Sequence, residues 1–200
     1  RWETPIRMQI TFGPNVSEEQ RRRDTNSLNA YTKRLSRLTG HPITMSQSGP
    51  ANFNVLILNE GERRNSGPLL RELVPGIGQT AVQTIERMPR ETFCLVFAFS
   101  RGQSSAYTRA LAVIRAEHPD LLRLSCFHEE IAQGLGLAND SPAARPSVFN
   151  DDEEFGLLTT HDELLLRMLY DRRLRTGMPP AEAAPIARVI AREYLAGGAS

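Results

Sequence analysis

The sequence predicts an α+β domain in which a sheet of about five strands packs against several helices. Short segments with strand character recur along the first part of the chain, and the last third has mainly helical patterns. One long amphipathic segment near the start separates the first strand from the others. The predicted order is therefore one strand, one helix, four further strands and then helices.

The first strand and the helix after it have clear local signals. Ile6–Phe12 alternates apolar and polar side chains, which is typical of a half-buried strand, and a Gly-Pro pair ends it. Ser17 and Gln20 form a capping-box pattern that predicts the start of a helix. Apolar residues follow at helical spacing up to Thr39-Gly40, namely Leu28, Tyr31, Leu35 and Leu38. We expect this helix to pack on the sheet.

Four further segments have strand character: Ile43–Ser46, Phe53–Leu58, Thr92–Ser100 and Arg109–Ile114. The second of these is apolar throughout, which indicates a strand covered on both faces of the sheet. Residues 60–92 mix Gly, Pro, Arg and Asn around a short helical pattern. This segment is interpreted as an insertion that lies over the sheet.

Length and charge restrict the domain organisation and the partners. The 200 residues, 40% of them apolar, suffice for one core. We therefore expect a single domain over residues 1–200, with the sheet and two main helices in 1–138 and a C-terminal loop and helices in 139–200. The net charge of +1, and the absence of aromatic residues around Arg21–Arg23, argue against a nucleic-acid partner.

No apolar run reaches the roughly 18 residues that a membrane-spanning helix needs. We therefore expect no membrane span within these residues. A signal peptide or a lipid anchor upstream of Arg1 is compatible with this expectation.

A second long helix is predicted from Leu121 to about Gly134, with Asp120 as its N-cap. At about 100 degrees per residue, one side of this helix is apolar and should pack on the sheet. That side consists of Leu124, Phe127, Ile131 and Leu135. The opposite side carries Cys126, Glu129, Glu130 and Gln133. Because burial of an unpartnered carboxylate is costly, Glu129 and Glu130 should face a cleft, a partner group or solvent.

The spacing within this helix resembles a known metal-binding motif. The sequence from Glu129 to Asn139, EEIAQGLGLAN, resembles the motif H-E-x-x-H-x-x-G-x-x-H of the metzincins, a group of zincin metallopeptidases. In that motif the three histidines bind zinc, and the glutamate polarises the attacking water. The resemblance places Glu130 at the general-base position and Gly136 at the turn. It places Glu129, Gln133 and Asn139 at the three metal-ligand positions.

None of these three ligand positions carries a histidine. One carboxylate and two amide oxygens form a hard ligand set, so we expect no zinc and no other cofactor, with calcium or magnesium as the alternative. Starting the motif at His128 instead places Ala132 at the second ligand position, and alanine cannot bind a metal. His128 is therefore interpreted as a structural histidine.

Two later segments extend the resemblance. Ser147–Asn150 resembles the metzincin Met-turn, with Phe149 at the position where a methionine forms the floor beneath the metal. Leu158–Tyr170 is similar to the C-terminal metzincin helix, and a capping box at Thr160 and Glu163 predicts its start independently. The implied fold is zincin-like, with a mixed twisted sheet, a backing helix, a central active-site-type helix and C-terminal helices.

The remaining signals concern the cysteines and the C-terminal part. Cys94 and Cys126 can either form a disulfide in an oxidising compartment or remain buried free thiols. The acidic run Asp151–Glu154 is expected to be solvated. A final helix is predicted from about Pro180 to Leu195, beyond the usual metzincin core.

The block from Cys126 to about Leu195 looks like part of an uncharacterised family of secreted proteobacterial envelope domains, and the resemblance to this family extends over most of the chain. It implies a location in the periplasm or cell envelope and no assigned activity. Because the zinc ligands are replaced, we expect a non-catalytic domain with a binding or structural role, whose partner is a protein or an envelope polymer. The alternative is an atypical peptidase-like hydrolase that uses Glu130 as general base with a non-standard metal or none.

Overall fold

The protein is described by a computed structural model that covers residues 1–46, 49–150 and 154–197. These residues form five strands and seven helices. In chain order they are β1 (Ile6–Phe12), α1 (Glu18–Thr39), β2 (Ile43–Met45), β3 (Phe53–Leu58), α2 (Glu60–Arg64), α3 (Gly67–Leu73), α4 (Gln79–Glu86), β4 (Cys94–Ser100), β5 (Tyr107–Arg115), α5 (Asp120–Leu135), α6 (Thr160–Leu169) and α7 (Pro180–Gly197).

The five strands form one mixed sheet in the order β2-β1-β3-β5-β4. Strands β2, β1, β3 and β5 are mutually parallel, whereas β4 is antiparallel to β5 and lies at the edge of the sheet. The α+β class and the sheet of about five strands, both predicted from the sequence, are confirmed.

The two faces of the sheet are covered by different parts of the chain. Helices α1 and α5 cover one face, where Leu28 and Leu35 of α1 and Phe127 and Ile131 of α5 are buried with the inward side chains of β1 and β3. The other face is covered by residues from 60–92, which form α2, α3 and α4. This segment was expected to contain one short helix. It forms three, of which α3 and α4 bury Leu70, Val82 and Ile85 against β3 and β5. Strand β3 is consequently buried along its whole length.

Two predicted helix starts differ from the structure by one residue. In α5, Pro119 occupies the N-cap position, and Asp120 is the first helical residue instead of the cap. In α6, the capping box is formed by Thr159 and Asp162 and not by Thr160 and Glu163. The reason is tertiary, since the Asp162 carboxylate also accepts a hydrogen bond from the backbone N–H of Val148.

The C-terminal helix α7 begins at Pro180 and contains Pro185 within it. It packs on α6 through few buried side chains, of which Ile190 is the most buried. Of the helices within the described residues, none combines the length and the apolar character that crossing a membrane requires.

Candidate functional site

A cleft of about 880 Å³ lies between the start of β4, one side of α5 and the loop that follows α5. Its lining includes carboxylates as well as a group of apolar side chains. The lining residues among those described are Glu91, Thr92, Phe93, Cys94, Pro119, Leu121, Leu122, Ser125, Cys126, Glu129, Glu130, Asp140, Val148, Asn150, Phe155 and Gly156. This set contains four acids and no arginine, lysine or histidine.

Helix α5 presents Glu129 and Glu130 to the cleft because its apolar side is used by the core. Phe127, Ile131 and Leu135 are buried against the sheet, as the helical periodicity predicts. The adjoining side of the helix faces the edge strand β4, to which the Cys94–Cys126 disulfide joins it, and contributes Cys126, Glu129 and Glu130 to the lining.

The Glu130 carboxyl is the most buried acid of the cleft, and the residue is only 5% exposed. Among the described residues, none donates a hydrogen bond to this carboxyl and no cationic side chain pairs with it. Burial, together with the negative charges of Glu129 and Asp140, raises the pKa of Glu130 well above its usual value of 4.5. Glu130 therefore holds its proton to a higher pH than an exposed glutamate does.

The residues at the three predicted ligand positions do not converge. Gln133 donates from Nε2 to Oδ1 of Asp140 over 2.6 Å and does not line the cleft. Asn139 is exposed and also lies outside the lining, whereas the next residue, Asp140, faces the cleft. Glu129 alone of the three lines the cleft. The sequence analysis missed Asp140, and the only signal for it was an acidic side chain directly after the third ligand position.

Gly136 ends α5 with a φ of 134°, a backbone conformation that residues with a Cβ rarely adopt. A Cβ at this position would also lie 3.0 Å from the Leu169 side chain and 3.1 Å from the Arg1 backbone. At Gly136 the chain leaves the helix and enters the loop that carries Asp140.

The donor groups at the cleft do not match the preferences of zinc. Within the described residues, candidate donor atoms of Cys94, Glu129 and Glu130 lie within 4.8 Å of one another. However, the Cys94 sulfur is bonded to Cys126, and the thiolate is the form of cysteine that binds metals. Two carboxylates remain, whereas structural and catalytic zinc sites use three or four ligands, with nitrogen or sulfur predominant.

The Cys94–Cys126 disulfide joins the first residue of β4 to the cleft-facing side of α5, with Cα atoms 5.9 Å apart. The sequence left open whether these cysteines form a disulfide or remain free thiols, and in the structure they form the disulfide. The bond ties the edge strand to the helix, and both cysteines line the cleft. A cysteine nucleophile at this site is therefore not present in the oxidised protein.

Phe149 and His128 contribute to the core and not to the cleft. Phe149, expected at the floor position, is buried, and its neighbours Val148 and Asn150 line the cleft instead. The His128 ring stacks on Tyr31 at 4.1 Å, and its Nδ1 accepts a hydrogen bond from the backbone N–H of Leu158 over 3.0 Å. Burial lowers the pKa of His128 to about 4, so the ring is neutral at pH 7. This arrangement agrees with the structural role predicted for His128.

The loop on the far side of the cleft is anchored by Asp162, which is fully buried. Its carboxylate accepts hydrogen bonds from the Ser147 hydroxyl and from the backbone N–H groups of Val148 and Thr159. Val148 is thereby held at the cleft wall. Of the acidic run that was expected to be solvated, Glu154 is exposed, and Asp151–Glu153 lie outside the described residues.

These features define a single class of molecule, a mixed α+β domain with an acidic cleft beside the antiparallel edge strand of its sheet. The chain belongs to a family described as proteins of unknown function (DUF2927), whose model matches residues 1–189. The matched region contains all five strands and the whole cleft. No curated protein matches the chain.

Proposed function

We propose that this chain is a non-catalytic domain with a metzincin-like fold whose cleft serves as a binding site. The observation that carries the proposal is the position of the three residues that replace the zinc ligands. Gln133 donates a hydrogen bond to Asp140, and Asn139 lies outside the cleft. Of the three, only Glu129 lines the cleft, next to Glu130. A cleft in which the carboxylates face the lumen without a zinc-binding set is suited to hold a ligand, not to activate water on zinc.

The order of the elements supports the metzincin-like part of the proposal. The helix with the motif, α5, follows the mixed sheet directly and lies beside its antiparallel edge strand. Gly136 turns the chain at the end of α5, and a later helix, α6, packs on α1. These are the parts that the sequence resemblance implies, in the order in which it implies them.

The proposed location is the bacterial cell envelope, where the partner is a protein or an envelope polymer. The Cys94–Cys126 disulfide supports this location, because disulfides persist in oxidising compartments and are rare in reducing ones. Thiol alkylation of the protein in its native cells, under non-reducing conditions, should label neither cysteine. Labelling of both cysteines would place the domain in a reducing compartment and contradict the proposed location.

Zinc content tests the non-catalytic assignment directly. Protein purified without chelators should contain well below one equivalent of zinc by mass spectrometry of the metal. Zinc that remains bound at one equivalent through extensive dialysis would contradict the proposal, because the cleft would then contain a ligand set for this metal.

A hydrolase is the second candidate, and the raised pKa of Glu130 in the cleft favours it. The test compares turnover of peptide substrates by the unmodified protein, by Glu130→Gln and by Glu72→Gln, a change at an exposed residue of α3. The non-catalytic assignment predicts turnover at the background level in all three. Turnover that Glu130→Gln abolishes and Glu72→Gln retains would establish the hydrolase instead.

A further inference from the structure

We propose that the cleft binds an alkylammonium ligand, with the ammonium group at the carboxyl groups of Glu129, Glu130 and Asp140 and the alkyl stem along the apolar wall. This inference rests on the proposed binding function and names the class of ligand. Three observations support it: the charge of the residues that line the cleft, the burial of Glu130, and the apolar side chains in the same lining.

The charge of the cleft is one-sided in a chain that is otherwise nearly neutral. The whole sequence has 24 basic and 23 acidic residues, yet the described lining of the cleft contains four acids and no base. Three of the acids, Glu129, Glu130 and Asp140, are close enough for the other two to raise the pKa of Glu130. A cation in the cleft would relieve this repulsion, whereas an anion would add to it.

Glu130 is the group that points to a ligand. It is 95% buried, it lines the cleft, and the described residues provide no partner for its carboxyl. Buried carboxyl groups in folded proteins normally receive hydrogen bonds, and an unpartnered one is unfavourable. An ammonium group supplies up to three N–H donors from one atom, which matches several converging carboxylates.

The lining of the cleft also has an apolar part, which is the apolar wall of the proposal. Phe93, Leu122, Val148 and Phe155 line the same cleft. Leu121 also lines it and is 69% exposed, which makes it the most exposed large hydrophobic residue among those described. An alkyl stem would cover part of this surface and gain from its removal from water, as the stem of a lysine does when its charged end stays polar.

A bare metal ion fits the cleft less well than an organic cation. Calcium takes six to eight oxygen ligands at roughly 2.3–2.6 Å, whereas only Glu129 and Glu130 supply carboxylates within the close donor group. The third member of that group is the disulfide sulfur of Cys94.

The test uses the intact, disulfide-bonded chain and three probes that separate charge from stem. Pentylammonium carries both features, pentan-1-ol carries the stem alone, and calcium chloride supplies a cation without a stem. At low ionic strength and near-neutral pH, two-dimensional NMR should show saturable pentylammonium binding with shifts at α5 and the start of β4. Pentan-1-ol should bind at least about tenfold more weakly because it lacks the charge-assisted hydrogen bonds. Calcium should not displace pentylammonium.

Variants locate the binding. Glu130→Gln and Asp140→Asn should each weaken pentylammonium binding about tenfold, and Glu72→Gln on α3 should leave it unchanged. Circular dichroism checks that each variant is folded. If Glu130→Gln does not fold, Asp140→Asn still tests the assignment, because Asp140 is exposed at the end of the cleft.

Several results would overturn the ligand class. These are equal binding of pentan-1-ol, displacement of pentylammonium by calcium, the absence of saturable binding, and full retention of binding in Asp140→Asn. Two natural sources of the ammonium group can then be compared, since Nα-acetyl-lysinamide has an alkyl stem and glucosamine does not. Tighter binding of glucosamine would contradict the role of the apolar wall.

Failure of the proposed non-catalytic function is recognised by different results, namely one equivalent of bound zinc or turnover of peptides.

Discussion

Glu130 of α5 and Asp162 of α6 are both buried acids, but their surroundings differ. Asp162 receives hydrogen bonds from a hydroxyl and two backbone N–H groups. Glu130 receives none from the described residues and faces a cleft. The Asp162 carboxylate thus has hydrogen-bond donors from the protein, whereas the Glu130 carboxyl has none among the described residues and faces a cleft that a ligand can enter.

Asp24 extends this comparison, because it is also buried and contacts the same helix as Glu130. The Arg123 guanidinium of α5 donates from Nε and Nη2 to its two carboxylate oxygens, each over 3.0 Å. Both members of this pair are nearly inaccessible to solvent. Asp24 and Asp162, which connect structural elements, both have partners, whereas the described residues provide none for Glu130, which faces the cleft.

The largest expected effect on stability comes from breaking the ion pair between Asp24 and Arg123. Arg123→Met leaves Asp24 buried without its cation and should lower the free energy of unfolding by about 4 kcal/mol. Arg23→Met removes an exposed ion-pair partner of Asp120 and should change it by less than about 0.5 kcal/mol. Urea denaturation monitored by circular dichroism measures both. Equal effects would mean that burial does not distinguish the two arginines.

The next effect concerns Asp162. Asp162→Ala removes the acceptor for three hydrogen bonds and the N-terminal capping box of α6, so a loss of about 3 kcal/mol is expected. Glu182→Ala, at an exposed residue that pairs with Arg175, serves as the control and should cost little. A small effect of Asp162→Ala in the same denaturation experiment would show that the loop is held by other contacts.

Glu130 should respond in the opposite direction. Glu130→Met replaces an unpartnered buried carboxyl with an apolar group of similar length, and the protein should become more stable by about 1 kcal/mol. Thermal or urea unfolding at neutral pH tests this, with Glu129→Met at the partly exposed neighbour as the matched variant. A loss of stability with Glu130→Met would reveal a partner for this carboxyl and remove the contrast with Asp162.

The smallest expected effect is the pH dependence of the same site. The pKa of Glu130 is raised in the folded protein. Its stabilising contribution to the free energy of unfolding is therefore complete below the ordinary glutamate pKa of 4.5 and is lost as the pH rises towards the raised pKa. His128 acts in the other direction, because its pKa falls from 6.5 to about 4 on folding and stability is lost as pH falls through that interval.

Comparison with Glu130→Gln separates the two effects, because His128 is present in both proteins and its contribution cancels in the difference between them. From about pH 4.5 upwards, the free energy of unfolding should fall with rising pH relative to that of Glu130→Gln, because the folded protein holds the Glu130 proton more tightly than the unfolded chain does. Denaturation series of the two proteins across this interval provide the measurement. Parallel pH profiles would show that Glu130 titrates normally and would remove the electrostatic argument for a cation in the cleft.

Much of the fold could be predicted because its signals are local. The alternation over Ile6–Phe12 and the helical spacing up to Thr39 depend only on neighbouring residues, and the structure reproduces both ends of these elements. The division of α5 into a core side and a cleft side follows from the same helical periodicity. This periodicity alone places Glu129 and Glu130 on the same side of the helix.

The composition of the cleft, in contrast, was decided by tertiary structure. The path of the chain after Gly136 and the hydrogen bond from Gln133 bring Asp140 to the cleft and leave Asn139 in solvent. The capping box of α6 uses Asp162 because the loop at Val148 requires the same carboxylate. Contacts between residues distant in sequence, set by loop geometry, have no periodic signal along the chain. The sequence by itself therefore determined which helix face carries the acids, and the tertiary structure decided which acids meet and which of them has no partner among the described residues.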